Sequence, residues 1–253
     1  MSDEARGDRI AKFLARAGVA SRRDAEKLLL HGRVELNNVV VTHPATFVTD
    51  GDIVLVDGKP VDQPERTRLW RYHKPDGLVT THRDPEGRPT VFDKLREQLP
   101  RVVSVGRLDL TSEGLLLLTN DGALARRLEL PEAGWLRRYR VRVHGEVHAK
   151  GLASLARGVT VDGVRYAQIE AGMDSRKGEN AWLTVSLREG RNREIRKVMS
   201  HLGLSVTRLI RVAYGPFQLG TLQRGSVEEV PARVLREQLP AGAVTPPPQP
   251  HRR

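Results

Sequence analysis

The 253-residue chain contains no cysteine, so disulfide bonds, thiolate metal ligands and thiol nucleophiles are all excluded. It has no run of 18 apolar residues that could cross a membrane, and its first residues lack the apolar core of a secretion signal. These absences predict a cytoplasmic protein with no membrane partner. Aromatic residues are also scarce, at 4% of the chain, so few rings are available for any stacking role.

The motifs of common cofactor enzymes are missing as well. The chain has no Gly-x-Gly-x-x-Gly fingerprint, no phosphate-loop Lys-Ser/Thr pair and no Gly-x-Ser-x-Gly elbow. His144 and His148 are four residues apart, but they read as residues of one strand, where this spacing is too long for shared metal ligation. We therefore expect neither a cofactor nor a metal.

The net charge of +11 and the pI near 10.5 favour a polyanionic partner, nucleic acid first. Residues 9–33 carry seven basic and two acidic side chains, whereas residues 34–62 carry one basic and five acidic side chains. A basic helix pair on an acidic scaffold suits a phosphate backbone. Two ordinary solvated helix faces would give the same pattern, so charge alone leaves both interpretations open.

The N-terminal part of the chain reads as a small domain of two helices and two hairpins. Apolar residues at i, i+3, i+4 and i+7 predict a first helix that ends at Gly18. Ser21 is a good N-cap for a second helix that ends at Gly32. Short apolar runs on either side of Asn37-Asn38 and of Asp57-Gly58 predict the hairpins.

The rest of the chain reads as a linker, a larger domain and a tail. Strand-like runs such as LWRYHKP, GLVTT, LLLLTN and RRYRVRVHGEV alternate with helical patterns such as ALARRLEL and REIRKVMSHLG, and hairpin-type turns at 75–77 and 120–122 bound several strands. This order predicts an α+β fold with a mainly antiparallel mixed sheet flanked by helices. The predicted divisions are a small domain (1–62), a linker (63–68), a larger domain (69–240) and a disordered basic tail (241–253).

One carboxylate, Asp109, stands between two apolar runs that read as core strands, 102–105 and 115–118. It fits three interpretations. In the first, it is a turn residue at a strand end. In the second, it is a ligand of a nuclease metal, but such a site needs more carboxylates than the neighbouring Glu113 supplies. In the third, it is a lone catalytic carboxylate. The last role requires the acid to stay ionised, and a guanidinium within hydrogen-bond reach would favour that state.

Two sets of motifs resemble known families. The run RIAKFLARAGVASRRDAEKLLLHGRVELNNVVV resembles the α-L RNA-binding module found in a ribosomal protein and in several RNA-modifying enzymes. The run GRLDLTSEGLLLLTNDG resembles the signature of the pseudouridine synthases that modify ribosomal RNA. Three further motifs agree in order, YHKPDGLVTTHRDPEGRPTVFDKL (72–95), RRYRVRV (137–143) and LREGRNREIRKVMSHLGLSVTRLIRVAYG (187–215).

The resemblance to pseudouridine synthases implies a cofactor-free isomerisation, in which the uracil of a uridine within RNA is detached, turned and rejoined to its ribose through carbon 5. It implies that Asp109 is the catalytic carboxylate. It also implies that Tyr139 stacks on the extruded base, although the strand pattern by itself fits a core tyrosine. Arg196 is implied as the ion-pair partner of Asp109, with Arg191 as the second choice, and Ile195 is implied to pack near the base.

Other basic residues are candidates for RNA contacts. Arg107 would help to hold or displace the flipped nucleotide, or would form a local surface pair. Arg193 and Lys197, which are i and i+4 in the predicted helix, would contact phosphates or stay solvated. The resemblance to the RNA-binding module implies that the RNA face of the small domain comprises Arg16, Arg22, Arg23, Lys27 and Arg33.

Details of the motifs most resemble the large-subunit branch of the family, although Glu194 stands where many members carry glutamine. The resemblance therefore implies a uridine in 23S rRNA as the target, in free RNA or in an assembling large ribosomal subunit, and a monomeric enzyme. Two alternatives stay open, a 16S rRNA synthase with the same domain plan and a non-catalytic assembly factor that binds rRNA. An ionised acid facing a polyanion weakens binding, which argues against the assembly factor.

Overall fold

The computed structural model describes residues 7–239 of the chain. Within this range, no helix is both long enough and apolar enough to cross a lipid bilayer. The predicted C-terminal tail lies outside the described residues, so its disorder stays a prediction.

The small N-terminal domain has the two helices and two hairpins that the sequence predicts. Its elements are β1 (Asp8–Arg9), α1 (Ile10–Arg16), α2 (Arg22–Leu30), β2 (Val34–Leu36), β3 (Val39–Val40), β4 (Phe47–Val48), β5 (Val54–Val56) and β6 (Lys59–Pro60). Ser21 caps α2 by accepting a hydrogen bond from the Asp24 backbone N–H. Asn37 and Asn38 have φ angles of 51° and 65°, which the two-residue turn between β2 and β3 requires.

The core of this domain forms where the helices pack against the short strands. Strands β3, β2, β5 and β6 form one sheet in that order, and β1 pairs with β4, a pairing that the sequence pattern did not predict. Buried apolar side chains from the helices and the strands form this core, among them Ile10, Phe13, Leu14, Ala25, Leu29, Val34, Val48 and Val54.

The larger domain is built on one nine-stranded sheet. The strands of this domain are β7 (Leu69–Lys74), β8 (Val103–Val105), β9 (Ser112–Thr119), β10 (Arg137–His144), β11 (Val159–Val161), β12 (Val164–Tyr166), β13 (Ile169–Lys177), β14 (Asn180–Leu187), β15 (Ser205–Tyr214), β16 (Phe217–Gln218) and β17 (Val227–Glu229). Its helices are α3 (Val91–Leu95), α4 (Gly122–Glu129), α5 (Ala149–Ser154), α6 (Glu194–His201) and α7 (Ala232–Gln238).

The strand order of the large sheet is β13-β14-β10-β15-β9-β7-β17, with β16 added beside β15 and β8 beside β9. Among the described strands of this sheet, β15 and β9 pair in parallel and the other pairs are antiparallel. Strands β11 and β12 form a separate hairpin. The predicted α+β fold with a mainly antiparallel mixed sheet is therefore confirmed.

Helices cover different faces of the sheet at its two ends. Alternate residues of β10, including Tyr139 and Val141, are buried on the face that α5 and α6 cover. At the other end, Leu116 of β9 packs on that same face with α3, whereas Leu115 packs on the opposite face with α4 and α7. Strand β9 is buried along its whole length, because helices lie on both of its faces.

Three local predictions from the sequence are wrong. The run GLVTT forms no strand, because Val79 makes only an isolated bridge to Thr90. The segment 120–122 is not a hairpin turn, because the Asp121 carboxylate accepts the backbone N–H of Ala123 and caps α4. The two histidines do not share a strand, because β10 ends at His144.

Contacts between the predicted linker and the larger domain hold the end of the linker in place. The buried Thr67 hydroxyl donates to the Asp121 carboxylate at 2.7 Å. The Arg68 guanidinium donates to both carboxylate oxygens of Glu229, at 3.0 and 2.6 Å.

The parallel pairing of β9 with β15 depends on Gly114. Its φ is +101°, and a Cβ added there would lie 2.7 Å from the backbone nitrogen of Arg211 and in contact with its carbonyl oxygen. A side chain at this position is therefore strained in its backbone conformation and collides with the neighbouring strand.

We predict that Gly114→Ala lowers the free energy of unfolding by about 2–4 kcal/mol, because overpacking and the positive φ both oppose the methyl group. Gly172→Ala in β13 is the matched control, since its added Cβ meets no atom within 4 Å and its φ is not positive. Urea unfolding of both variants measures the effect. Equal stability of the two variants would contradict the prediction.

Candidate active site

The loop between β8 and β9 carries Asp109 into an open cleft of about 920 Å³. The cleft gathers residues from all four motifs that the sequence singled out. Six of the seven side chains predicted for the catalytic centre line it: Arg107, Asp109, Tyr139, Arg191, Arg193 and Ile195. The seventh, Arg196, does not line the cleft but contacts the Asp109 loop at Thr111.

A buried lysine holds the Asp109 loop by its backbone. Lys74, at the end of β7, is fully buried, and its Nζ donates to the carbonyl oxygens of Pro75 and Ser112 at 2.9 Å and of Asp109 at 3.1 Å. A weaker contact of 3.4 Å reaches the Leu110 carbonyl. The ammonium thus ties together the strand end and both sides of the loop.

Further hydrogen bonds attach the same loop to the segment that follows β7. The Gly77 backbone N–H donates to the Leu110 carbonyl at 2.8 Å. The buried Thr80 hydroxyl donates to the Leu108 carbonyl at 2.9 Å. These contacts, with those of Lys74, leave the Asp109 side chain facing the cleft and fix the backbone that carries it.

Burial lowers the pKa of Lys74 to about 8, although the nearby Asp109 and Glu113 carboxylates favour its charged form. Arg224 also favours the neutral form. At neutral pH the group therefore remains largely charged, and its hydrogen atoms can serve the surrounding carbonyl oxygens.

The cation nearest to the Asp109 carboxylate is Arg193. Its Nη1 lies 3.5 Å from Oδ2 of Asp109, and both side chains are partly exposed. Arg193 is the N-cap of α6 and has the left-handed backbone conformation, with φ 53° and ψ 29°. This conformation is uncommon for a non-glycine residue and directs the arginine toward the loop.

The turn before α6 rests on a buried acid. Glu194 accepts the Arg191 backbone N–H through Oε2 at 2.9 Å, and burial raises its pKa. Its Oε1 is buried and has no hydrogen-bond partner among residues 7–239. The glutamate therefore shapes the turn that presents Arg191 and Arg193, and does not lie in solvent beside them.

The predicted ion pair between Arg196 and Asp109 is not formed in the structure. The Arg196 guanidinium instead donates to the Thr111 hydroxyl at 3.0 Å and to the Val206 carbonyl at 3.1 Å. Burial and the neighbouring Arg193 lower the pKa of Arg196, whereas the Asp109 charge raises it. Arg196, in the first turn of α6, thus contacts the Asp109 loop at Thr111. Arg193, whose backbone is left-handed, reaches the Asp109 carboxylate instead.

Tyr139 lies beside a buried arginine that the sequence analysis missed. It pairs across the sheet with Arg211 of β15, so both side chains point to the cleft. Arg211 is 3% exposed, and its Nε donates to the Leu115 carbonyl at 2.7 Å. Its Nη2 is also buried and finds no hydrogen-bond partner in the described part of the chain. The cleft wall therefore presents an aromatic ring next to a hydrogen-bond donor.

A second buried arginine completes this wall. Arg137 donates to the Tyr214 hydroxyl at 3.0 Å and to the Glu189 carbonyl at 3.1 Å. The guanidinium carbons of Arg137 and Arg211 lie 4.7 and 5.2 Å from the centre of the Tyr214 ring. In the sequence, the signal for Lys74, Arg137 and Arg211 was that they stand within the quoted motifs.

The basic residues predicted for the small domain differ in their surroundings. Arg22, Arg23 and Lys27 are exposed, and so is Arg33, which forms a two-bond ion pair with Asp57. Arg16 is half-buried, and its Nη2 donates to the Glu65 carbonyl of the linker at 3.4 Å. Four of the five cations are therefore exposed, three on α2 and Arg33 just after it, while Arg16 faces the linker.

Carboxylates and histidines do not cluster into a metal site among residues 7–239. The acid that follows Asp109 in the sequence, Glu113, is buried and receives two hydrogen bonds from Arg208, at 2.7 and 3.0 Å. Within the described residues, Asp109 therefore has no cluster of neighbouring acids with which to hold a metal.

Comparison with protein families agrees with this geometry. Residues 68–201 match the model of the RNA pseudouridylate synthase family, and residues 8–54 match the S4 domain. The chain belongs to the RNA pseudouridylate synthase family. It is a pseudouridine synthase with an N-terminal S4 domain.

Relatives match over nearly the whole chain. Uncharacterised RNA pseudouridine synthases of Rickettsia felis and Rickettsia bellii are 44% and 46% identical, over 90% of this chain and 99% of theirs. Ribosomal large subunit pseudouridine synthase B of Haemophilus influenzae is 42% identical over 90% of this chain and 66% of its own length. A crystal structure of a pseudouridylate synthase, 23% identical, has a TM-score of 0.63 over 91% of this chain and 99% of that one, which supports the fold.

We predict that Lys74→Met lowers the free energy of unfolding by about 2–4 kcal/mol at neutral pH, because buried carbonyls lose their donor. Between pH 8 and 10.5 the unfolded wild type binds more protons than the folded one, since burial lowers the pKa of Lys74 to about 8. Raising the pH therefore stabilises the wild type further, by up to about 3 kcal/mol relative to the variant. Unfolding curves at several pH values test this; an advantage that shrinks with pH would refute it.

Changing Arg193 and Arg196 to glutamine, one at a time, should have different effects on activity and on stability. We predict that Arg193→Gln slows isomerisation about 10- to 100-fold without changing the melting temperature, because its ion pair with Asp109 is half-exposed. We predict that Arg196→Gln also lowers the free energy of unfolding, by about 1–3 kcal/mol, because its bonds hold the loop. Turnover and thermal unfolding measure both effects, with the exposed Arg96→Gln as control. A loss of stability in Arg193→Gln, with none in Arg196→Gln, would contradict the roles assigned to the two arginines.

Proposed function

We propose that the protein isomerises specific uridines in 23S rRNA, with Asp109 as the catalytic carboxylate. The observation that carries the proposal is the Asp109 carboxylate, whose backbone is fixed by Lys74 and whose side chain lies 3.5 Å from Arg193 in a basic cleft. The relatives named as large subunit synthase B, in Haemophilus influenzae and in Salmonella typhimurium at 42% and 41% identity, support the 23S target.

The charge of the cleft fits a nucleotide of RNA. Eight arginines and four carboxylates line it, so its net charge favours phosphates. A protein that only bound RNA would gain from losing Asp109, because an ionised acid repels phosphate. The fixed position of this acid is what catalysis needs, since a preorganised group does not have to be ordered during the reaction.

In the proposed reaction, the bond between ribose C1′ and uracil N1 breaks, the uracil turns, and C5 bonds to C1′. The proton on C5 leaves and N1 gains a proton, so the product is an isomer of the substrate and no redox partner is consumed. Asp109 acts on the detaching nucleoside as a nucleophile or stabilising anion. Arg193 lies 3.5 Å from this carboxylate and is placed to orient it.

The target base must leave its stack to reach Asp109. We assign Tyr139 as the ring on which the uracil rests, worth roughly 1–3 kcal/mol, with Ile195 beside it. The free Nη2 donor of Arg211 is suited to a uracil carbonyl oxygen. Arg107 and Arg191, at the rim of the cleft, are assigned to the flanking phosphates.

The S4 domain would hold a neighbouring part of the same rRNA. We assign Arg22, Arg23, Lys27 and Arg33 to phosphate contacts, because all four are exposed on or beside the helix pair. Arg16 is withdrawn from that set, because it donates to the linker carbonyl of Glu65. The partner is 23S rRNA, free or in an assembling large subunit, and the protein acts as a monomer without a cofactor.

Tritium release from rRNA labelled at uridine carbon 5 tests the proposal. We predict release from 23S transcripts and not from 16S transcripts, and a loss of at least about a thousand-fold in Asp109→Asn with RNA affinity retained. Asp162→Asn is the control, because Asp162 is an exposed acid in a turn with φ 49°, which asparagine also tolerates. Release from 16S alone would overturn the target, and undiminished release by Asp109→Asn would overturn the catalytic assignment.

A further inference from the structure

One end of the large sheet has a face that no described helix covers. On β10, Arg138, Arg140 and Arg142 are exposed and alternate with the buried residues that line the cleft side. Helices α5 and α6 pack on the cleft side of this end, whereas the cluster that contains α4 and α7 on the other side includes residues of β7, β8, β9, β15 and β16 and none of β10, β13 or β14. The outer side of β10, β14 and β13 therefore stays open to solvent in residues 7–239.

The open face carries a concentrated positive charge. We name it the basic sheet face and define it by Arg140, Arg142, Lys177, Trp182 and Arg208. All of these except Arg140 line a depression of about 640 Å³, and no carboxylate of the described residues lines it. The depression is separate from the catalytic cleft, with which it shares no lining residue.

Two acids near this face are engaged with two of its own cations. Asp174 lies 3.9 Å from Arg140 and accepts the Thr184 hydroxyl, and Glu113 binds Arg208. Among the described residues, Arg142 and Lys177 have no acidic partner within 4.0 Å. Their charges are therefore available to an external anion.

An aromatic ring lies among these cations. Trp182 of β14 pairs across the sheet with Arg142, and the guanidinium carbon of Arg140 lies 4.9 Å from the centre of its ring. Unpaired RNA bases stack on aromatic rings and on the planes of arginine guanidinium groups, while neighbouring cations bind the phosphates. A double helix keeps its bases stacked inside, so it would use the charges but not the indole.

We propose that the basic sheet face is a second RNA-binding site that takes an unpaired stretch of RNA, on the side of the sheet opposite the catalytic cleft. Trp182 and Arg140 stack with bases, and Arg142, Lys177 and Arg208 bind phosphates. A substrate that occupies both sites is held more tightly than the cleft alone allows, because the second contact becomes intramolecular.

The test compares variants of the full chain binding an unstructured RNA of about 16 nucleotides and a duplex of similar length. Trp182→Leu removes the ring, and Arg142→Gln/Lys177→Gln removes two charges. Lys94→Gln/Arg96→Gln removes two exposed charges, one from α3 and one from its C-cap, and is the matched control. Affinities are measured from about 50 to 200 mM salt, and 4-thiouridine in the unstructured RNA identifies the crosslinked peptides.

We predict that Trp182→Leu weakens binding of the unstructured RNA at least about five-fold, with an unchanged salt slope and unchanged duplex affinity. Arg142→Gln/Lys177→Gln should reduce the salt slope for the unstructured RNA by about 1.4, because two phosphate contacts are lost. Crosslinks should map to the β14 peptide that contains Trp182. The control should reduce neither affinity nor slope to this extent.

The proposal is overturned if the double variant behaves like the control, if crosslinks map only to the cleft and the S4 domain, or if Trp182→Leu binds the unstructured RNA as wild type does. If the wild-type chain self-associates and the same substitutions abolish that self-association, the basic sheet face binds a second copy of the chain, and the proposal is overturned. RNA binding can be measured without isomerisation. If the wild-type protein released no tritium, the proposed function would be refuted, but the binding results for the basic sheet face would still hold.

Discussion

The hydrogen bonds from Lys74 to the loop carbonyls are the interaction on which the active site depends. A charged ammonium buried at the end of β7 is costly unless its hydrogens find acceptors, and the Asp109 loop supplies them. In return, the loop cannot move without leaving the cation unpaired. The position of Asp109, the carboxylate that we propose to be catalytic, is thereby set by a group that never needs to touch the RNA.

The sheet brings the remaining parts of the site to this loop. The parallel pairing of β9 with β15 requires Gly114, and it places Arg211 next to the strand that begins just after Asp109. The antiparallel pairing of β15 with β10 then sets Tyr139 beside Arg211. Segments that are distant in sequence, the loop before β9 and strands β15 and β10, therefore bring Asp109, Arg211 and Tyr139 to one cleft.

Much of this could be predicted from the sequence, because apolar periodicity, caps and motifs are local signals. The two-helix domain and the mixed sheet were predicted, and so were six cleft residues. The partner of Asp109 was not, because the left-handed conformation of Arg193 decides which arginine reaches the carboxylate. Lys74 was missed because its acceptors come from a loop about 35 residues away, a long-range contact that the local pattern did not reveal.

Positive charge has different surroundings in different parts of this molecule. In the cleft it accompanies a fixed acid, on the helices of the S4 domain it is exposed, and on the basic sheet face it surrounds an indole ring. The most direct measurement of the central claim is a crystal structure of Asp109→Asn bound to a short rRNA substrate. The account predicts the target uracil stacked on Tyr139, with the side chain of residue 109 within about 3.5 Å of the reacting nucleoside. A target base that remains stacked in the RNA, or that binds away from residue 109, would contradict it.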